Sequence, residues 1–164
     1  MRRLATTSLL LLAIPSILFA QGTGKISTTW KCAAPSPMHA LPVGDTPDHI
    51  YSVQHGRCTA TSGEIAGVKQ KEGTSTEFTE GMATTAKGHG VFIETLANGD
   101  KIVYSYEFTG NIKNKMLDTG SNKWTVTSGT GQFKGIKASG TCDGKGNPDG
   151  SADFTCTGTY TLSK

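Results

Sequence analysis

Three of the chain's four histidines, His39, His49 and His55, fall in one stretch together with Met38, Asp45 and Asp48. Imidazole, carboxylate and thioether donors in one loop could hold copper or zinc in an exported protein, with Met38, His39, Asp45 and His49 as ligands. Their spacing is irregular, and four prolines lie between residues 33 and 49, so nothing in the sequence aims these side chains at one point. The reading is therefore no metal, with His39, Asp45 and His49 as the residues to inspect if one were bound. Asp143, Asn147, Asp149 and Asp153 alternate oxygen ligands with glycine and invite a calcium reading. An EF-hand loop needs Gly at its sixth position and Glu at its twelfth, and here those are Pro148 and Phe154, which leaves an acidic turn. A third group is Tyr104, Tyr106, Glu107 and Trp124. Aromatic walls can hold an apolar ligand, and a carboxylate isolated among them would have a raised pKa and could act as acid or base. Alternation sets Glu107 on the face opposite Tyr104 and Tyr106, so at most one set faces inward; Tyr104, Tyr106 and Trp124 are the ligand-lining candidates, and the same tyrosines could equally be ordinary packing between the barrel and a neighbouring subunit. HExxH, P-loop, GxSxG and CxxC patterns are all missing. No cofactor is expected, catalytic residues stay unassigned, and the balance leans away from an enzyme.

The elements that must position these residues are strands. No window of helix length keeps apolar residues at i, i+3, i+4 and i+7, whereas period-two alternation recurs. Ile26, Thr28, Trp30 and Cys32 share one face. Ile102, Tyr104, Tyr106 and Phe108 share another, and Trp124 with Val126 begins a third run. Residues 97–100, ANGD, join two such runs and give a strong hairpin signal. Residues 51–66 and 74–86 supply two or three further strands. Residues 33–49, with their prolines, are excluded from the interior of a sheet and read as a long ordered loop.

Near the end, Ile136, Ala138, Gly140 and Cys142 lie on one face of a strand, and Phe154, Cys156, Gly158, Tyr160 and Leu162 on one face of the next. Between them residues 143–150, DGKGNPDG, are a cluster of turn formers. Folding about that cluster sets Cys142 opposite Cys156 on the apolar face and leaves Thr141, Thr155, Thr157, Thr159 and Thr161 outside. Four cysteines allow three pairings. Cys142–Cys156 with Cys32–Cys58 is the favoured pair of bridges, over a zinc site whose spacings are wrong.

The compartment follows from the first twenty residues. Arg2 and Arg3 precede an apolar run from Leu9 through Ile14, broken at Pro15 and Ser16, with Ala20 as a small residue at a cleavage point. The run is about half of the ~20 residues a membrane span needs, so 1–20 reads as a signal peptide and 21–164 as one domain. Losing the two arginines lowers the net charge from +3 to +1, and no argument for nucleic acid survives. The expected location is secreted or periplasmic, where disulfides persist. Six to eight strands without a covering helix close into a barrel or stack as a sandwich. Glycines within strands, such as Gly129, Gly131, Gly135 and Gly140, favour an antiparallel closed barrel.

Residues 128–141, SGTGQFKGIKASGT, resemble the GGTGxFxxARG-type signature near the end of allene oxide cyclase and dirigent barrels. Residues 88–110, GHGVFIETLANGDKIVYSYEFTG, are similar to a hairpin of those barrels, and the two stretches cover about a quarter of the chain. The resemblance implies an all-β, closed antiparallel barrel of about eight strands, often a homo-oligomer, that guides cyclisation or radical coupling in an apolar lumen without a cofactor. The chain departs from the pattern at Ser128, at the Ala138–Ser139 pair, in the proline-rich loop and in its four cysteines. None of the family's catalytic residues is carried over. The function expected from all this is an exported barrel binding a small apolar ligand or a protein partner. The alternative is a cofactor-free isomerase or cyclase acting in the lumen.

Overall fold

Alternation and turn chemistry cut the chain into ten strands in the computed structural model, which describes residues 22–163. They are β1 (Thr23–Cys32), β2 (Met38–Pro42), β3 (Ile50–Ser62), β4 (Glu64–Ile65), β5 (Val68–Gly81), β6 (Thr85–Leu96), β7 (Lys101–Lys113), β8 (Met116–Gly129), β9 (Lys137–Gly146) and β10 (Ala152–Thr161). Among the described residues no helix is long and apolar enough to cross a membrane. The proposed signal peptide lies outside the described residues.

Eight strands close on themselves antiparallel, in the order β3–β1–β10–β9–β8–β7–β6–β5, with β5 pairing back onto β3. Closure removes the sheet edges that an open sheet would expose. The expected antiparallel barrel is therefore the fold. Both expected disulfides are present, and each joins register partners on neighbouring strands, Cys32 with Cys58 and Cys142 with Cys156. The expected outer threonines Thr141, Thr155, Thr157, Thr159 and Thr161 are exposed. The ANGD turn forms a tight hairpin, in which Leu96 N donates to Asp100 O at 2.9 Å and Gly99 takes a φ of 87°.

Two expectations are corrected. Residues 33–49 are not loop throughout, because Met38–Pro42 pairs with Ile50–Gln54 as β2. β1 reaches only the far half of β3, from Cys58 to Ser62, so the near half would show unpaired N–H and C=O groups. β2 covers that edge, and Pro42 ends it, where a missing N–H costs little. The second correction is in the 143–150 turn cluster. β9 continues to Gly146, and the turn proper starts at Asn147. Gly144 lets the Phe154 ring lie across the strand, since a Cβ there would meet Phe154 Cδ1 at 2.7 Å.

The two ends of the lumen differ. At one end Ile65, Leu96, Ile102 and Phe133 are fully buried, with Ile26 and Ile136 packed against them. Phe133 comes from a 3-10 turn (Gly131–Phe133) folded under the barrel after β8. At the other end the inward residues Gln54, Glu77, Tyr106, Phe108 and Asn122 are only half-buried.

Candidate functional site

Period two along β1, β6, β7 and β8 brings Trp30, Phe92, Tyr104 and Trp124 to one inner surface. Trp30 and Phe92 meet edge to face with centroids 5.2 Å apart, Phe92 and Tyr104 lie tilted at 6.1 Å, and Tyr104 meets Trp124 edge to face at 5.5 Å. Such pairs contribute about 0.5–1.5 kcal/mol each beyond their burial. They fit because glycines on nearby strands lie beneath the rings. A Cβ at Gly73 would meet the Phe92 ring at 2.7 Å, one at Gly90 the Tyr106 ring at 2.7 Å, and one at Gly158 the Trp124 ring at 2.6 Å.

Polar groups are set into this wall at two depths. Deep in the lumen, Tyr104 Oη donates to Glu94 Oε2 at 2.5 Å, and both side chains are buried. Burial pushes the Glu94 carboxyl up from its ordinary value, against hydrogen bonding from Tyr104 and Gln70. Burial also pushes the Tyr104 phenol well up, and the neighbouring Glu94 adds to that. Glu94 Oε1 and Gln70 Oε1 are buried acceptors without a hydrogen-bond partner among the described residues. Nearer the exposed end, Glu77 gathers three donors. Gln54 Nε2 and Thr79 Oγ1 each donate to Oε1 at 2.7 Å, and Tyr106 Oη donates to Oε2 at 3.0 Å. Burial raises the Tyr106 phenol, and the Glu77 charge raises it further.

Beside Tyr106 on β8, Trp124 Nε1 and Asn122 Oδ1 are buried without a partner among the described residues. One is a donor, the other an acceptor, and they stand two residues apart on the same inward face. A surface groove of about 570 Å³ lies between β1, the end of β3 and the β4–β5 hairpin, lined in part by Lys25, Ser27, Glu64, Lys69 and Gln70. Its charges are mixed and face solvent, whereas Trp124 and Asn122 lie on the inward face of β8.

Tyr104, Tyr106 and Trp124, expected to line a lumen, all point inward, and Glu107 is exposed outside. His39, Asp45 and His49, the residues to inspect had a metal been bound, are not brought to one point. His39 is exposed on β2 opposite Val53, while Asp45 and His49 pair with each other at the start of β3. No group of three or more His, Cys, Asp or Glu suited to a metal occurs among the described residues. The acidic turn is held by its own bonds, Asp149 Oδ1 accepting from Ser151 and Asp153 Oδ2 accepting from Asn147. Sequence reasoning missed Glu77, Glu94 and Asn122. Glu94 carried a signal, alternating with Phe92 and Leu96. Glu77 carried a false one, because the apolar residue beside it, Phe78, faces outward and stacks on His89.

No protein-family model matches the sequence, and no curated protein does. Solved structures do. The pterocarpan synthase dirigent protein GePTS1 aligns with a TM-score of 0.52 at 12% identity, over 96% of this chain and all of that one. The pterocarpan synthase dirigent protein PsPTS1 gives the same TM-score and identity over 89% of this chain and 99% of that one. In fold, this chain is similar to these dirigent barrels.

Proposed function

We propose that the lumen binds one small, largely apolar molecule carrying a hydroxyl or carbonyl group, in an exported protein. The observation that carries this reading is the unmet pair on β8, Trp124 Nε1 and Asn122 Oδ1, set in a wall of Tyr104, Tyr106 and Phe92. Leaving a buried donor or acceptor without a partner costs about 1–3 kcal/mol, and a ligand that meets both recovers that cost. The aromatic wall supplies apolar contact, and the two polar atoms fix orientation. Two disulfides suit an oxidising compartment and agree with the signal-like first residues. Self-association belongs to the same reading, with Phe78, Val91 and Ile93 exposed on the outer wall.

A naphthol–naphthalene pair tests the binding. The expected outcome is saturable quenching of tryptophan emission by 2-naphthol, with naphthalene binding more weakly. Trp124→Phe keeps an aromatic wall and removes the N–H, so naphthol affinity falls about five- to tenfold while naphthalene is little changed. No uptake of either molecule by the native protein would end the proposal.

A second reading, a cofactor-free isomerase or cyclase, draws on Glu94. A carboxyl whose pKa burial raises, beside a phenol, can act as a general acid, and Glu77 is close enough to the exposed end to act as a base. The solved barrels of like fold are synthases by name, which lends weight to this reading. Turnover that survives both Glu94→Gln and Glu77→Gln would exclude these carboxyls from it.

A further inference from the structure

The strap that leaves the barrel at Cys32 and returns at β3 has one buried anchor, set at the rim against the outer face of β3 and β5, where Tyr51 and Glu80 alternate with the lumen-facing Gln54 and Glu77. Every residue from Ala33 to Asp48 is exposed, and His49 alone is buried, at 7% exposure. Its last part, residues 43–49, lies at the same end of the barrel as the β5–β6 and β7–β8 turns, because Ile50 pairs with Gly81 and Thr85 with Asn111. That is the end where the inward residues are half-buried. The loop is closed on itself by Val43 N donating to His49 O at 2.9 Å and by Asp45 Oδ1 accepting from Thr46 N at 2.8 Å.

Both nitrogens of His49 face carboxylates. Nδ1 lies 2.6 Å from Asp45 Oδ1 on the loop, and Nε2 lies 3.2 Å from Glu80 Oε1 on β5. Tyr51 Oη, on β3, donates to the same Glu80 oxygen at 2.9 Å, and its ring lies 5.6 Å from the imidazole. Lys87 on β6 pairs in register with Glu80 and acts on its charge, and Lys115 Nζ of the β7–β8 turn holds Asp48 Oδ1 at 3.2 Å. A neutral imidazole has one N–H, so it can satisfy one carboxylate and must turn a lone pair to the other. Only the imidazolium donates to both.

We propose that residues 43–49 form a proton-fastened lid at the exposed end of the lumen, docked while His49 is an imidazolium and released when that proton leaves. The lid role rests on the reading that a ligand occupies the lumen; the fastener does not. The neighbours act in the expected directions: hydrogen bonding to Asp45 raises His49 from its ordinary 6.5, and hydrogen bonds from Tyr51 and His49 lower Glu80. His49 thus binds its proton more tightly docked than free, so docking is complete below 6.5 and is lost as pH rises through the docked value. One titrating group raises the opening constant by at most about tenfold per pH unit across that window, then no further.

Hydrogen exchange of the purified protein without ligand, corrected for intrinsic rates, reads this directly. Expected is an opening of residues 43–49 that rises by up to about tenfold per unit above pH 6.5 and levels off, with the β9–β10 ladder unchanged. His49→Gln should exchange at the high-pH level at every pH. Should His49→Gln fail to fold, Glu80→Gln serves instead and should move the midpoint toward the ordinary histidine value. A flat profile in the native protein, or an unmoved one in these variants, would overturn the fastener. A pH-dependent opening with no naphthol uptake at any pH would instead overturn the lumen reading and leave the fastener standing.

Discussion

The aromatic wall depends on glycines that face it, and Gly73 is the sharpest case. Its three nearest foreign atoms all belong to the Phe92 ring, with Cε1 and Cε2 at 2.7 Å from an added Cβ and Cζ closer. Gly73→Ala must therefore tip that ring against Trp30 or Tyr104, its partners at 5.2 and 6.1 Å. Overpacking of this kind costs about 1–3 kcal/mol. Phe92→Ala alone loses a half-buried ring, and about 2–3 kcal/mol is expected, below the range for a fully buried phenylalanine. With the ring gone, the methyl at position 73 meets nothing from it, and alanine is favoured over glycine in a strand by about 0.5–1 kcal/mol. The double variant should therefore be as stable as Phe92→Ala or slightly more so, a coupling of about 2 kcal/mol. Urea unfolding with both disulfides intact measures this as a shift in midpoint at constant slope. Costs that add to within about 0.5 kcal/mol would refute the seat-and-ring account of the lumen wall.

Glu94 and the bridges give two more predictions. Because burial raises the Glu94 carboxyl, the folded state holds its proton more tightly than the unfolded chain does. Stability should fall as pH rises from the ordinary 4.5 through the folded value, by about 1.4 kcal/mol per unit, then stay level. Glu94→Gln should abolish that slope in a pH series of urea midpoints, and a slope retained by the variant would contradict the assignment. Replacing Cys142 and Cys156 together by alanine opens a loop with a sequence separation of 14, worth about 3 kcal/mol on the chain-entropy model. The separation of 26 between Cys32 and Cys58 predicts only about 0.5 kcal/mol more for that bridge. A much larger difference in thermal midpoints would show that burial of the inner bridge, rather than loop length, decides its worth.

What the sequence determined by itself is whatever the backbone's period of two and local turn chemistry dictate. Strands β1 and β10 carry apolar residues on one face only, and β7 does so apart from Val103, so Trp30, Tyr104, Tyr106 and Cys156 could each be set on an apolar face before any fold was known. The ANGD turn and the facing of Cys142 and Cys156 were legible for the same reason, since both depend on neighbours within one hairpin. The tertiary structure decided what depends on distant partners. In β5 the run STEFTE has polar residues on both faces and its one aromatic, Phe78, outside, so only pairing with β3 and β6 set Glu77 toward the lumen. β2 exists because β1 stops short of the near half of β3, a mismatch of strand lengths that no local pattern reports. His49 became the anchor of the strap because closure through β3 and β5 brought Glu80 to it from 31 residues away. Local geometry chooses a strand's two faces; which face is buried, when neither is clearly apolar, is settled by the strands that come to lie beside it.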